Sequence, residues 1–135
     1  MEGDLETIMA GLNCGTPSGI GWPILKDAAI AFLSCVDQIT INGMRSYYNP
    51  VEGNFYYFCN FYSSNNHIFC LIKGDPRVIS GESGAVSLGA LTHICKNDQE
   101  IRQQLGIDES SRILLVSTEG DTDPEGFERI CGKVK

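Results

Sequence analysis

Apolar residues fall along this chain in short blocks with different periods, and the periods predict the elements. After the turn-forming stretch at 15–21, Ile24, Leu25, Ala28, Ala31 and Phe32 recur at helical spacing, which predicts a docked amphipathic helix. Pro23 suits the first turn of that helix, where its missing N–H costs nothing. A second helix is marked by Val86, Ala90, Leu91 and Ile94, after a β-like start at 77–79 and a tight glycine loop, "SGESG". His93 lies within it and reads as a helix-face residue. "NDQEIRQQLGID" predicts a short third helix with Asp98 as N-cap, Ile101 and Leu105 inward, and Gly106 as the stop.

"SRILLVS" is different, because its apolar run is unbroken. That pattern predicts a strand buried on both faces, as in a sheet covered by helices. Asp123 and Pro124 then suit N-cap and N1 of a last helix with Phe127, Ile130 and Cys131 facing inward. Helix, strand, helix, strand, helix in this order points to an α/β fold. Residues 51–73 do not fit. They hold most of the Phe and Tyr of the chain and follow neither a period of two nor one of 3.6. One reading is a β-hairpin or aromatic flap turning at "SSNN"; another is an aromatic binding patch.

With 135 residues, the chain has room for one domain and a real core. A net charge of −7 argues against nucleic acid and anionic membranes as partners, since both call for clustered Lys and Arg. No stretch is long and apolar enough to span a bilayer, and the acidic start is unlike a signal peptide. The six cysteines, widely and irregularly spaced, read as free thiols rather than a disulfide framework. Without a C-x-x-C, and with only His67 and His93, no zinc site is expected.

The chemistry concentrates at "STEGDTDP", where acids crowd the end of the apolar run. Glu119, Asp121 and Asp123 resemble part of an oxygen-ligand metal loop but lack its distal Glu. The same acids suit a turn and a helix N-terminus. Ser117 stands where α/β sheets gather ligands, beyond the carboxyl end of a strand. "SGESG", a glycine loop opening a helix, is a second candidate rim for an anion or a cofactor.

"SRILLVSTEGDTDPEGFERI", "GDPRVISGESGAVSLG" and "GDLETIMAGLNCGTPSGIGWPILKDAAIAFLSC" together resemble the C-terminal part of the diaminopropionate ammonia-lyase family. Those are fold-type II, tryptophan-synthase-β-like enzymes that use pyridoxal 5′-phosphate. The likeness takes in residues 1–50 and 74–135. It implies an incomplete portion of an α/β domain, with helices packed on a small, mostly parallel sheet. It also implies α,β-elimination of 2,3-diaminopropionate, a small amino acid, to pyruvate and ammonia, a homodimeric full-length enzyme, and a cytoplasmic location.

By the same resemblance, the Ser117 hydroxyl faces the pyridine nitrogen of the cofactor, Thr118 and Gly120 line that edge, and Glu82 faces the ring. For Glu82 a surface-loop acid is the competing reading. The family's Schiff-base lysine and glycine-rich phosphate cup match nothing here, so no catalytic residue is assigned to this chain, and the chain alone is expected to be inactive. The alternative is a non-catalytic remnant acting as a partner or regulatory chain. Residues 51–73 have no family counterpart. Their Phe, Tyr, Asn, Ile and Lys are residues of AT-rich codons, so a translated, unspliced intron is one expectation and a fragmentary gene product its companion.

Overall fold

The computed structural model describes residues 6–50 and 76–133. The flap, aromatic-patch and intron readings of 51–73 fall outside them. After a single 3-10 turn at Ala10–Leu12 come five helices: α1 (Gly21–Ala28), α2 (Asp37–Tyr48), α3 (Glu82–Asn97), α4 (Gln99–Gln104) and α5 (Pro124–Cys131). None of the helices among the described residues is long and apolar enough to cross a membrane.

Packing centres on the crossing of α2 and α3. The crossing is close because both helices present glycine at the contact. A Cβ on Gly43 would fall on the carbonyl of Ala85, and one on Gly89 on the carbonyl of Ile39. The third layer is α5, which lays Phe127 against α2. Met44, Tyr48, Ala85 and Phe127 form the buried cluster, with Tyr47, Ile130 and Cys131 packed at its margin. The Tyr48 and Phe127 rings meet edge to face, 5.3 Å between centroids at 89°, an arrangement aromatic quadrupoles favour.

Polar ties surround this cluster. The Tyr48 hydroxyl donates to the Lys133 carbonyl at 3.0 Å, and the Arg77 guanidinium lies 4.4 Å above the Tyr48 ring. Arg45 Nε donates to the Ile130 carbonyl at 3.0 Å. The chain leaving α2 and the chain approaching α3 are joined directly, since Val78 N–H donates to the Tyr47 carbonyl at 3.0 Å.

Three helix ends follow the local rules. Asp98 accepts from Ile101 N–H at 2.9 Å and caps α4. Gly106, at φ +67°, ends that helix in a Schellman motif: Gly106 N–H bonds the Gln103 carbonyl and Ile107 N–H the Arg102 carbonyl. Asp123 accepts from Gly126 N–H at 3.0 Å and Pro124 opens α5, with Phe127 buried. His93 is an exposed helix-face residue whose ring nitrogen meets the Asn97 amide.

Four expectations need correction. First, α1 stops at Ala28, where Ala29 turns extended (ψ 133°). Ala31 and Phe32 therefore lie beyond it, and Phe32 folds back onto Trp22, 5.8 Å between ring centroids. Second, α1 is not docked among the described residues; Ile24 is 66% and Leu25 52% exposed. Third, the loop before α3 is only Ser80 and Gly81, because Glu82, Ser83 and Gly84 already form the first helical turn. Fourth, no paired strand forms among the described residues. Val78 bonds only the Tyr47 carbonyl at the end of α2, the stretch 112–117 makes no backbone–backbone bond to another described residue, and Leu114 is 87% exposed.

The helix α2 was not legible from apolar periodicity. Its inward face is Thr40, Gly43, Met44 and Tyr48. The spacing is helical, but half of it is small or hydroxylated.

Candidate functional site: a serine pair at the first turn of α3

The first turn of α3 is held from three sides. Gly11 N–H donates to Ser83 Oγ at 3.0 Å. The Thr40 hydroxyl of α2 donates to the Glu82 carbonyl, and both residues are buried. From the far end of the chain, Glu119 reaches the open N-terminus. Its carboxylate accepts Ser83 N–H at 2.5 Å, and its backbone carbonyl accepts Gly81 N–H at 3.2 Å. Helix starts carry unpaired N–H groups and a partial positive charge, so an acid there is favoured twice.

This docking brings the 117–120 loop against residues 80–84. Ser117 Oγ lies 2.8 Å from Ser80 Oγ and donates to the Glu119 carbonyl at 3.2 Å. Ser80 is fully buried, whereas Ser117 is exposed. The contact depends on glycines. A Cβ on Gly84 would stand 2.8 Å from Ser80 Oγ and 3.0 Å from Ser117 Oγ. On Gly81 it would strike the Gly120 carbonyl. One exposed hydroxyl is thus held by a buried one, at a glycine-lined edge whose nearby Glu119 carboxylate is engaged by Ser83 N–H.

Among the sequence-predicted contacts, Ser117 and Gly120 stand together beside the turn that carries Glu82. Thr118 is exposed on the same loop. Glu82 is 9% exposed, so the surface-loop reading does not hold. One of its carboxylate oxygens lies 3.3 Å from where a Cβ on Gly126 of α5 would sit. Glu119 and Asp123 each serve a different helix start, α3 and α5, so the two acids are divided between capping tasks. Among the described residues, no three His, Cys, Asp or Glu side chains converge as metal ligands. Sequence reasoning missed Ser80 as the partner of Ser117. Its only signal was membership of "SGESG", because the pairing spans 37 positions.

A separate cleft of about 360 Å³ is lined by Arg45, Ser46, Asn49, Ile130 and Cys131 and includes none of the four predicted contacts. Burial pushes the Cys131 thiol above its ordinary range; the Arg45 charge opposes that rise and Glu82 adds to it. Cys14, Cys35, Cys95 and Cys131 are free thiols.

This fold, with a hydroxyl edge beside a helix start, matches part of a lyase that works on pyridoxal phosphate. An Escherichia coli crystal structure of it, in complex with an aminoacrylate–PLP azomethine reaction intermediate, covers 92% of this chain with a TM-score of 0.68 and 37% identity. A selenomethionine-incorporated holo form of the same enzyme covers 91% with a TM-score of 0.67. That enzyme is diaminopropionate ammonia-lyase, and this chain is its homologue. The sequence from Escherichia coli strain K12 is 40% identical over 135 residues, 98% of this chain. The one from Salmonella typhimurium strain LT2 is 38% identical over 132 residues, 96% of it. The chain spans 29% and 28% of the length of these two relatives. No family model matches the chain.

Proposed function

We propose that this chain supplies one edge of the pyridoxal-phosphate site of a diaminopropionate ammonia-lyase. The assembled enzyme eliminates ammonia from 2,3-diaminopropionate and yields pyruvate and a second ammonia. The observation that supports this most directly is the Ser80–Ser117 pair at 2.8 Å, in a chain whose relatives are these lyases. Bound there, the cofactor supplies an electron sink for the bond broken at Cα.

The residues of the chain do the holding. Ser117 presents a neutral hydroxyl to the pyridine nitrogen. Its 3.2 Å bond to the Glu119 carbonyl is long and easily exchanged for that contact. With the Ser117 proton on the Glu119 carbonyl, Ser80 is the donor of the pair, and the Ser117 proton turns outward when it exchanges that carbonyl for the cofactor. A hydroxyl stabilises a protonated pyridine less than a carboxylate would, which keeps the ring a moderate electron sink and favours elimination over transamination. Gly120 and Thr118 give the ring edge room; nothing lies within 4 Å of a Cβ built on Gly120. Glu82, at the first turn of α3, stands on the ring side of the same edge.

A homodimeric assembly, a cytoplasmic location and a small mostly parallel sheet go with this reading and rest on the resemblance. So does the assignment of 51–73 as an insertion, in frame and intron-derived; sequencing the mature message tests it, and a message that codes for these residues refutes the intron origin.

The decisive experiment supplies the chain with a polypeptide carrying the lysine and glycine cup of the family, together with pyridoxal phosphate and 2,3-diaminopropionate. Pyruvate is expected from the mixture and not from the chain alone. Ser117→Asp is expected to lower kcat at least tenfold while Ser117→Thr retains most of it. Equal activity of Ser117→Asp and the parent would overturn the assignment.

A further inference from the structure

Ser80 keeps a hydroxyl where the chain excludes water, since its exposure is 0%. A buried hydroxyl without a partner costs free energy, so the partner it has matters. Among the described residues that partner is Ser117 Oγ, 2.8 Å away. Ser80 is held opposite it by the backbone. Gly81 N–H, one residue on, bonds the Glu119 carbonyl at 3.2 Å, and Ser83 N–H bonds the Glu119 carboxylate at 2.5 Å. Two bonds thus fix the spacing of the two segments beside the hydroxyl pair. Gly84 leaves room for the pair, because a Cβ there would stand 2.8 Å from one oxygen and 3.0 Å from the other. Ser117, by contrast, is exposed, and an exposed serine ordinarily samples several χ1 rotamers.

We propose that Ser80 is a positioning residue: its hydrogen bond pins the Ser117 oxygen, so that only the Ser117 proton moves when this hydroxyl changes partner. This rests on the lyase reading above, which gives Ser117 the ring nitrogen. A hydroxyl carries one proton and two acceptor sites. Ser80 fills one acceptor site of Ser117, and the Ser117 proton sits on the Glu119 carbonyl at 3.2 Å. Exchanging that carbonyl for a ring nitrogen then needs a turn about Cβ–Oγ alone, with no change of χ1. A polar group held in place beforehand costs little reorganisation when its ligand arrives. The hydroxyl of Ser80 does this, not its bulk. Removing it strands no buried group, because Ser117 is exposed and water takes the vacated place. Ser80→Ala is therefore expected to fold.

In the full chain, Hα–Hβ couplings measured by NMR read the χ1 rotamer of Ser117. One rotamer is expected in the parent and in Ser80→Thr, and an average over several in Ser80→Ala. Gly84→Ala keeps both hydroxyls and sets a methyl group between them; it should also give the average, and it serves as the second variant if Ser80→Ala does not fold. A single Ser117 rotamer in Ser80→Ala would overturn the proposal. A double-mutant cycle then follows the dissociation constant of pyridoxal phosphate by fluorescence, with the chain supplied with the lysine- and cup-bearing polypeptide. Ser80→Ala should weaken binding about fivefold in the parent, the usual net worth of a neutral hydrogen bond, and change nothing in a Ser117→Ala background. Equal losses in the two backgrounds would mark Ser80 as merely structural and overturn the proposal as well. If the parent mixture binds no cofactor, the lyase reading fails, while the rotamers still decide the role of Ser80.

Discussion

The Glu119 carboxylate accepts the backbone N–H of Ser83 at 2.5 Å, so an acid 36 positions away caps the start of α3. The bond does two things: it stabilises a helix, and it sets the loop that carries Ser117 against Ser80. Glu119→Ala is expected to cost about 1 kcal/mol, as removal of an N-terminal cap does. Glu119→Gln, which keeps an acceptor and loses the charge, should cost about half of that. Urea denaturation followed by circular dichroism at 222 nm checks both, and equal stability of Glu119→Ala and the parent would contradict the cap.

The Asp123 cap of α5 is local, so its chemistry is more forgiving. Asp123→Ala is expected to lose about 1 kcal/mol and Asp123→Asn almost nothing, because Asn caps as well as Asp. A loss in Asp123→Asn as large as in Asp123→Ala would point instead to the charge. The same denaturation measurement separates the two.

Gly89 marks the closest approach of α2 and α3. A methyl group there meets the carbonyl carbon of Ile39 at 2.8 Å, which is backbone and has nowhere to swing. Gly89→Ala should destabilise by about 1–3 kcal/mol, the usual cost of overpacking, despite alanine's better helix propensity. Gly19→Ala is the control, since nothing lies within 4 Å of its Cβ position.

Thiol chemistry gives a pH dependence. Burial raises the Cys35, Cys95 and Cys131 thiols above their ordinary range. The folded chain then holds those protons at pH values where the unfolded chain has lost them. Their contribution to stability is present below about pH 8.5, the ordinary thiol value, and is lost as pH rises through the raised ones. The urea midpoint should therefore fall between pH 7 and pH 10, and by less in a Cys95→Ala variant compared with itself. With iodoacetamide at pH 8, among the four described thiols the exposed Cys14 should label first and the buried Cys95 last.

How far the sequence carries depends on where each signal originates. The ends of α4 and α5 were readable because Asp98, Gly106, Asp123 and Pro124 act within a few residues of themselves. The start of α3 was not, because its cap comes from Glu119, and without that acid "SGESG" looks like a loop. In α2, the two-helix contact is built from Gly43 and Thr40 rather than from large apolar residues, so hydrophobic periodicity is silent. The opposite holds for "ILLV": its pattern predicts a buried strand, and no paired strand forms there among the described residues. At the site, Ser117 was marked by its place after the apolar run and given a role by family likeness, while the supporting Ser80 emerged only once the tertiary contact was known.

The hydrogen bond from Val78 to the Tyr47 carbonyl has a thermodynamic consequence for everything between them. It holds Tyr47 and Val78 together, as the closure of a loop holds its two ends, with α2 and α3 already clasped by their own contact. For such a loop the entropy lost on closure grows only with the logarithm of its length. Excising 51–73 should thus leave that bond in place and raise stability by on the order of 1 kcal/mol through loop shortening alone. A change of more than twenty residues in the length of chain between Tyr47 and Val78 is therefore expected to leave the rest of the fold nearly as stable.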